Sequence, residues 1–231
     1  MIQNAAIDQR LQELAETDYK VFNERLIPTN YEIRGIRMPA LKKLAKELSK
    51  EPEIESYLKN AEFTTYEHVL LYGLVLGNLS KLPMETVFGY TDRLILRFDN
   101  WAHVDTITSS FKIFKKYPEE VLKHFLPLKA DNEEFSKRFF VILLLCNYMD
   151  EEYIDSTLQH LSEVPQGQYY VDMAIAWTLS VGLVKFYDKT LPYLEQKNYS
   201  KFVHNKAIQK ACESYRITPD IKELLKGMKI K

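Results

Sequence analysis

An all-helical fold built from repeated helix pairs is predicted by three features of the 231-residue sequence. Apolar residues recur at helical spacing almost from end to end. Only seven residues are glycine, which favours helices joined by short polar loops over the tight turns and bulges of sheets. Charged side chains return about every 34 residues, the length of one helix–turn–helix unit.

The elements follow in order. Ala6-Ile7, Leu11 and Leu14 make a first amphipathic stripe, and Val21-Phe22 with Leu26 suggest a second helix. Pro28 breaks the pattern, and Arg34-Gly35-Ile36-Arg37 forms a turn. Pro39 sits where a helix can begin, with Leu41, Leu44, Ala45 and Leu48 following at helical spacing. Pro52 starts a short helix. Thr64-Thr65 cap the next one, with Glu67 in its first turn and Val69 to Leu76 along it. From there helix pairs succeed one another. Pro83 opens a partner, Trp101 to Lys116 leads the next pair, and Pro118 opens its partner. Asp131-Asn132 cap a helix carrying Arg138, and Asp150-Glu151 start the partner. Gln168 to Lys185 leads another pair, completed near Pro192. Phe202 to Tyr215 leads the last, with Pro219 at the start of a short final helix.

Asp105, Arg138, Asp172 and Lys206 hold similar places in successive leading helices, at intervals of 33, 34 and 34 residues. Repeats of that kind stack into a solenoid and line a concave wall with one helix of each pair. The tetratricopeptide pattern is absent, so the expectation is a HEAT-like helical-repeat solenoid with tight loops. No Gly/Ser or Pro-rich linker divides the chain, so residues 1–231 are expected to form a single domain.

The formal net charge is −1, which argues against coating nucleic acid through bulk charge and leaves room for a local basic groove. The tail from Ser200 to Lys231 has eight Lys/Arg against three Asp/Glu, a surplus of five. Cys146 and Cys212 lie far apart in apolar patterns and read as reduced core residues. Met1 to Glu16 is amphipathic and charged, unlike a secretory signal. The longest apolar run, Phe139 to Cys146, is far shorter than a membrane helix and reads as a buried one. Together these suggest a cytoplasmic protein without a membrane partner. His68, His103, His124, His160 and His204 show no metal-ligand spacing, and no phosphate-binding glycine loop or nucleophile elbow is present. Neither a metal nor a cofactor is expected.

One segment stands out: Asn100-Trp101-Ala102-His103-Val104-Asp105. Trp101 and Asp105 are four apart and share a helix face, and Asp99-Asn100 can cap the helix. The second of the chain's two tryptophans, Trp177, falls on another leading helix, as does Arg138. One carboxylate, one guanidinium and two indoles on a common wall make a plausible site.

These residues, with Ala174-Ile175-Ala176-Trp177-Thr178-Leu179, Gly35-Ile36-Arg37-Met38-Pro39 and Asn205-Lys206-Ala207-Ile208, resemble the AlkD-type DNA alkylation repair family. The likeness runs from about Phe22 to Tyr215. It implies a concave DNA-binding groove and glycosylase activity on cationic adducts, such as N3-alkyladenine and N7-alkylguanine, in double-stranded DNA. It also implies excision without a deep base-flipping pocket. On this chain the catalytic roles pass to Asp105, Trp101 and Trp177, and phosphate contact to Arg138. Lys137, Lys206 and Lys210 are backbone-clamp candidates with less support. A monomer is expected. The sequence departs from the family at Ser180, where many members carry a basic residue one turn after the second Trp, and at Asp172 and Met173. This weakens the phosphate clamp. Two other readings stay open at this point: a non-catalytic relative that binds unusual DNA, and a protein-binding scaffold.

Overall fold

The computed structural model describes residues 4–196 and 198–231. Among them the chain is all-α, with fourteen α-helices, two 3-10 turns and no strand beyond an isolated bridge between Glu32 and Thr65. It resolves into two compact units, one ending at Tyr117 and the other beginning at Pro118.

The N-terminal unit holds α1 (Asn4–Glu13), α2 (Thr17–Leu26), α3 (Met38–Leu48), α4 (Ile54–Asn60), α5 (Tyr66–Asn78), α6 (Met84–Ile95), α7 (Trp101–Thr108) and a 3-10 turn, Lys112–Lys116. Within it, α5 packs between α3 and α7. The central helix is buried almost all round, from Tyr66 to Leu76. The C-terminal unit holds α8 (Pro118–Phe125), a 3-10 turn (Leu126–Ala130), α9 (Glu134–Asn147), α10 (Ile154–Ser162), α11 (Tyr169–Lys185), α12 (Tyr187–Glu195), α13 (Lys201–Glu213) and α14 (Pro219–Gly227). Here α11 lies between α9 and α13. Its seventeen residues include ten buried ones, matching the all-round burial of α5. Each unit is thus a row of leading helices backed by shorter partners.

The repeat is written into the hydrogen bonds. Arg34 N donates to Glu67, Ser200 N to the Gln166 side chain (2.7 Å), and Lys189 Nζ to Asp155 (2.8 Å), at separations of 33, 34 and 34 residues. Lys129 and Glu163 pair at the same separation. Residues about one repeat apart therefore touch, as stacked units require.

Four local expectations change. The helix predicted over 101–116 stops at Thr108. Ser109 and Ser110 turn their hydroxyls back onto the carbonyls of Thr106 and Ile107, which competes with helix continuation, and the chain resumes as a 3-10 turn. The α2 helix forms, but its apolar stripe faces outward. Phe22 is 55% exposed, Val21 and Leu26 are exposed with it, and Asn23 is the buried residue. A helix near the end of an array has few neighbours, so periodicity alone cannot say which face is covered. Cys146 and Cys212 are only half-buried, and neither is in a disulfide. Finally, Thr65 takes the N-cap position of α5 without bonding the helix backbone, and its hydroxyl meets His68 Nδ1 at 2.8 Å instead.

Candidate DNA interface

Glu67 is the anchor on which the N-terminal unit's row is built. It is fully buried, and its carboxylate accepts hydrogen bonds from the backbone N–H groups of Arg34, Gly35 and Ile36 (2.8–3.3 Å). Those donors belong to the loop that launches α3. Gly35 has φ +85° there, and a Cβ at that point would meet the α2 backbone at Lys20 N at 2.3 Å. Only glycine fits this turn.

A second network fixes the start of α7. Asn100 caps it, its Oδ1 accepting from His103 N at 2.9 Å. That orientation aims Asn100 Nδ2 at Asp99 Oδ1 (2.7 Å) and His103 Nδ1 (2.9 Å). His103 Nε2–H donates to the Tyr66 carbonyl at 3.1 Å, and the ring stacks on Tyr66 at 4.7 Å. Asp99 also accepts from the Thr29 hydroxyl and Asn30 N. Burial pushes the Asp99 carboxyl up. The adjacent His103 and the donors from Asn30, Thr29 and Asn100 outweigh that and hold it at about 2. The first turn of α7 is thus tied to α5 and to the loop after α2.

That turn carries Trp101, with Asp105 one turn later. Both are half-buried and lie on the same helix face. Along the same face, Ser109 opens onto a cleft of about 500 Å³, lined also by Lys42 and Lys46 of α3 and by Lys112.

In the C-terminal unit the five remaining candidates divide. Trp177 is 38% exposed on α11 and lines a cavity of about 320 Å³ with Lys210 of α13. Lys185, Arg216 and Glu213 complete its charged rim. Lys206 lies on α13 outside that lining, and its ammonium donates to Gln209 Oε1 at 2.9 Å. Arg138 and Lys137 are largely covered, Arg138 at 5% exposure. The Arg138 guanidinium donates to the Tyr170 carbonyl, at the start of α11. It therefore ties two neighbouring leading helices together.

Of the three departures noted in the sequence, Ser180 and Asp172 are covered and Met173 is half-buried. Ser180 donates its hydroxyl to the Trp177 carbonyl at 2.7 Å. Asp172, 7% exposed, accepts from Gly167 N at 3.0 Å, and burial is the main cause that pushes its carboxyl up. Asp105, Arg138, Asp172 and Lys206 fall at the fifth, fifth, fourth and sixth positions of their helices, so the repeat register holds to within a residue or so. Exposure does not follow register, because the two middle members are buried and the outer two are half-exposed.

The family of DNA alkylation repair enzymes matches residues 7–214. The chain belongs to that family. No curated protein matches it. Membership places the chain among DNA repair proteins, with DNA as the substrate the family implies. No helix among the described residues is long and apolar enough to cross a membrane.

Several contributors escaped the sequence reading. Lys42 and Lys46 are one turn apart on α3, but only folding brings Lys112 to them, as it brings Arg216 to Trp177. The Asp99–His103 contact did carry a signal, since the two are four residues apart at a helix start.

Proposed function

We propose that this chain is a DNA glycosylase that hydrolyses the N-glycosidic bond of cationic alkylated purines, such as N3-alkyladenine and N7-alkylguanine, in duplex DNA without a deep base-flipping pocket. The observation that carries the proposal is the Trp101–Asp105 pair on one half-buried face of α7 in a member of the alkylation repair family.

The chemistry suits these side chains. An alkylated purine cation leaves as a neutral base, so no general acid is needed. Positive charge grows on the deoxyribose as the bond breaks. The Asp105 carboxylate stabilises that oxocarbenium-like state and orients the attacking water. The Trp101 and Trp177 indole faces attract cationic base and sugar, worth about 0.5–2 kcal/mol each. Lys210, beside Trp177, supplies backbone contact. Arg138, Lys137 and Lys206 complete the proposed phosphate contacts, with Arg138 acting from a guanidinium already anchored on Tyr170. The enzyme so read is a cytoplasmic monomer of one domain, residues 1–231, that needs no cofactor.

The test is base release from duplex DNA bearing N7-methylguanine. Free base should appear with the native chain, and Asp105→Asn should slow it on the order of 10²-fold. Release at the native rate from that variant removes Asp105 from the mechanism. Salt-sensitive binding without any release points to a non-catalytic DNA binder.

A further inference from the structure

We infer that the cleft beside Asp105 in the N-terminal unit is a second phosphodiester-binding site, held by Lys42, Lys46 and Lys112. The inference rests on the glycosylase reading for its duplex substrate. It adds a binding contribution from the unit that so far supplied only the reacting face.

The cleft lies among the ends of α5 and α7, the side of α3 and the 3-10 turn after α7. Gly77 sets its depth, since a Cβ there would stand 2.6 Å from Ser110 Oγ. Its lining has three ammonium groups, the Asn78 amide, the hydroxyls of Thr106, Ser109 and Ser110, and no carboxylate. Some other cations of this unit are matched, Arg10 with Glu47, Lys20 with Glu24 and Glu32, Arg34 with Asp8, and Arg37 with Glu16. Among the described residues, no ion pair is recorded for Lys42, Lys46 or Lys112, and all three are exposed.

The charges could serve only the helix ends. The C-terminal ends of α5 and α7 each present about half a negative charge. Two such ends amount to about one unit, against three lysines. The surplus of about two positive charges is what a diester backbone needs, with one charge per ~3.4 Å of each strand. Ser109 is one turn, about 5.4 Å, beyond Asp105 on the same face. That step equals one to two phosphates, roughly, so a strand with its sugar at Asp105 reaches the cleft within its next nucleotides. In a chain of net charge −1, a local cluster of this kind must provide the attraction.

The experiment compares the native chain with a triple variant, Lys42→Ser, Lys46→Ser and Lys112→Ser, binding an undamaged duplex over a range of salt. Each lost phosphate contact lowers the slope of log K against log salt by about 0.9, so a drop of about 2–3 is expected. A control carrying Lys43→Ser, Lys50→Ser and Lys115→Ser, exposed lysines of the same unit outside the cleft, should keep the native slope. Equal drops in both would overturn the site in favour of diffuse surface charge. A lower melting temperature with an unchanged slope assigns the lysines to the helix ends and also overturns it. Titration with inorganic phosphate distinguishes a free-anion site, which would bind phosphate yet leave the duplex slope alone. The duplex carries no lesion, so failure here leaves base release untouched, and failure of base release leaves this slope to stand or fall by itself.

Discussion

The two units solve the same packing problem with different chemistry at their leading helices. In the N-terminal unit the helix with the candidate carboxylate is only eight residues long, and its start is fastened by Asn100, Asp99 and His103. In the C-terminal unit Trp177 sits mid-way along a seventeen-residue helix that needs no such fastening, because α9 and α13 flank it. A short helix cannot orient a side chain by its own packing, since helices below about 12 residues have little stability alone. Buried polar networks make up the difference in one unit, and apolar burial does so in the other. The contrast predicts that the N-terminal unit is the more sensitive to single polar changes.

The sharpest form of that contrast is a pair of loop anchors. Glu67 satisfies three backbone donors from inside the protein, whereas Gln166 holds Ser200 N at the surface over nearly the same sequence span. Each buried donor left unpaired costs about 1–3 kcal/mol. Glu67→Ala is therefore expected to remove at least about 3 kcal/mol of stability, read from a denaturant midpoint. Gln166→Ala is expected to remove less than about 1 kcal/mol. Equal losses would end the distinction between the units.

Catalysis should divide along the same line. Asp105→Asn acts on the reacting sugar and is expected to cost about 10²-fold in single-turnover base release, with duplex affinity close to native. Trp177→Ala removes one indole face and is expected to cost about 2–30-fold, the range that 0.5–2 kcal/mol allows. A Trp177 effect larger than that of Asp105 would move the centre of the reaction into the C-terminal unit.

Much of this was legible in advance, and the residues show why. Helix periodicity and the 33–34-residue return of charges depend on local spacing, so the helical-repeat class and most helix starts followed from sequence. So did the Trp101–Asp105 pairing, because both residues belong to one helix. What failed depends on neighbours that spacing does not reveal. Val21, Phe22 and Leu26 form a regular stripe, but few helices are there to cover it. Arg138 and Asp172 hold the expected register, but spacing does not reveal the backbone partner each one meets, the Tyr170 carbonyl and the Gly167 N–H. The lysine cleft joins three segments and was invisible for the same reason.

Acid should separate two aspartates, half-buried Asp99 in one unit and buried Asp172 in the other. Asp99 is held at about 2, below the unfolded value near 3.9. Its stabilising contribution is present above about pH 4 and lost as pH falls through about 2. The stability gap between the native chain and Asp99→Asn, measured by denaturant midpoints from pH 7 downward, should therefore be widest near neutrality and close below pH 4. A gap independent of pH would mean that Asp99 acts through shape rather than charge.

Asp172 has the opposite sign and the smallest expected effect. Burial raises its carboxyl, so the folded chain binds this proton more tightly than the unfolded one, and stability falls as pH rises from about 4 through the raised value. Asp172→Asn keeps an oxygen to accept from Gly167 N and removes the buried charge. It should raise the melting temperature at neutral pH by less than about 4 °C, the shift that 1 kcal/mol brings in a domain of this size, with no gain below about pH 4. Lys137 pulls the other way, since its charge favours the ionised form. A lower melting temperature at neutral pH would show that this attraction outweighs burial. Asp172 would then be a paired carboxylate that holds Lys137 in place, and losing it would also weaken any contact Lys137 makes with DNA.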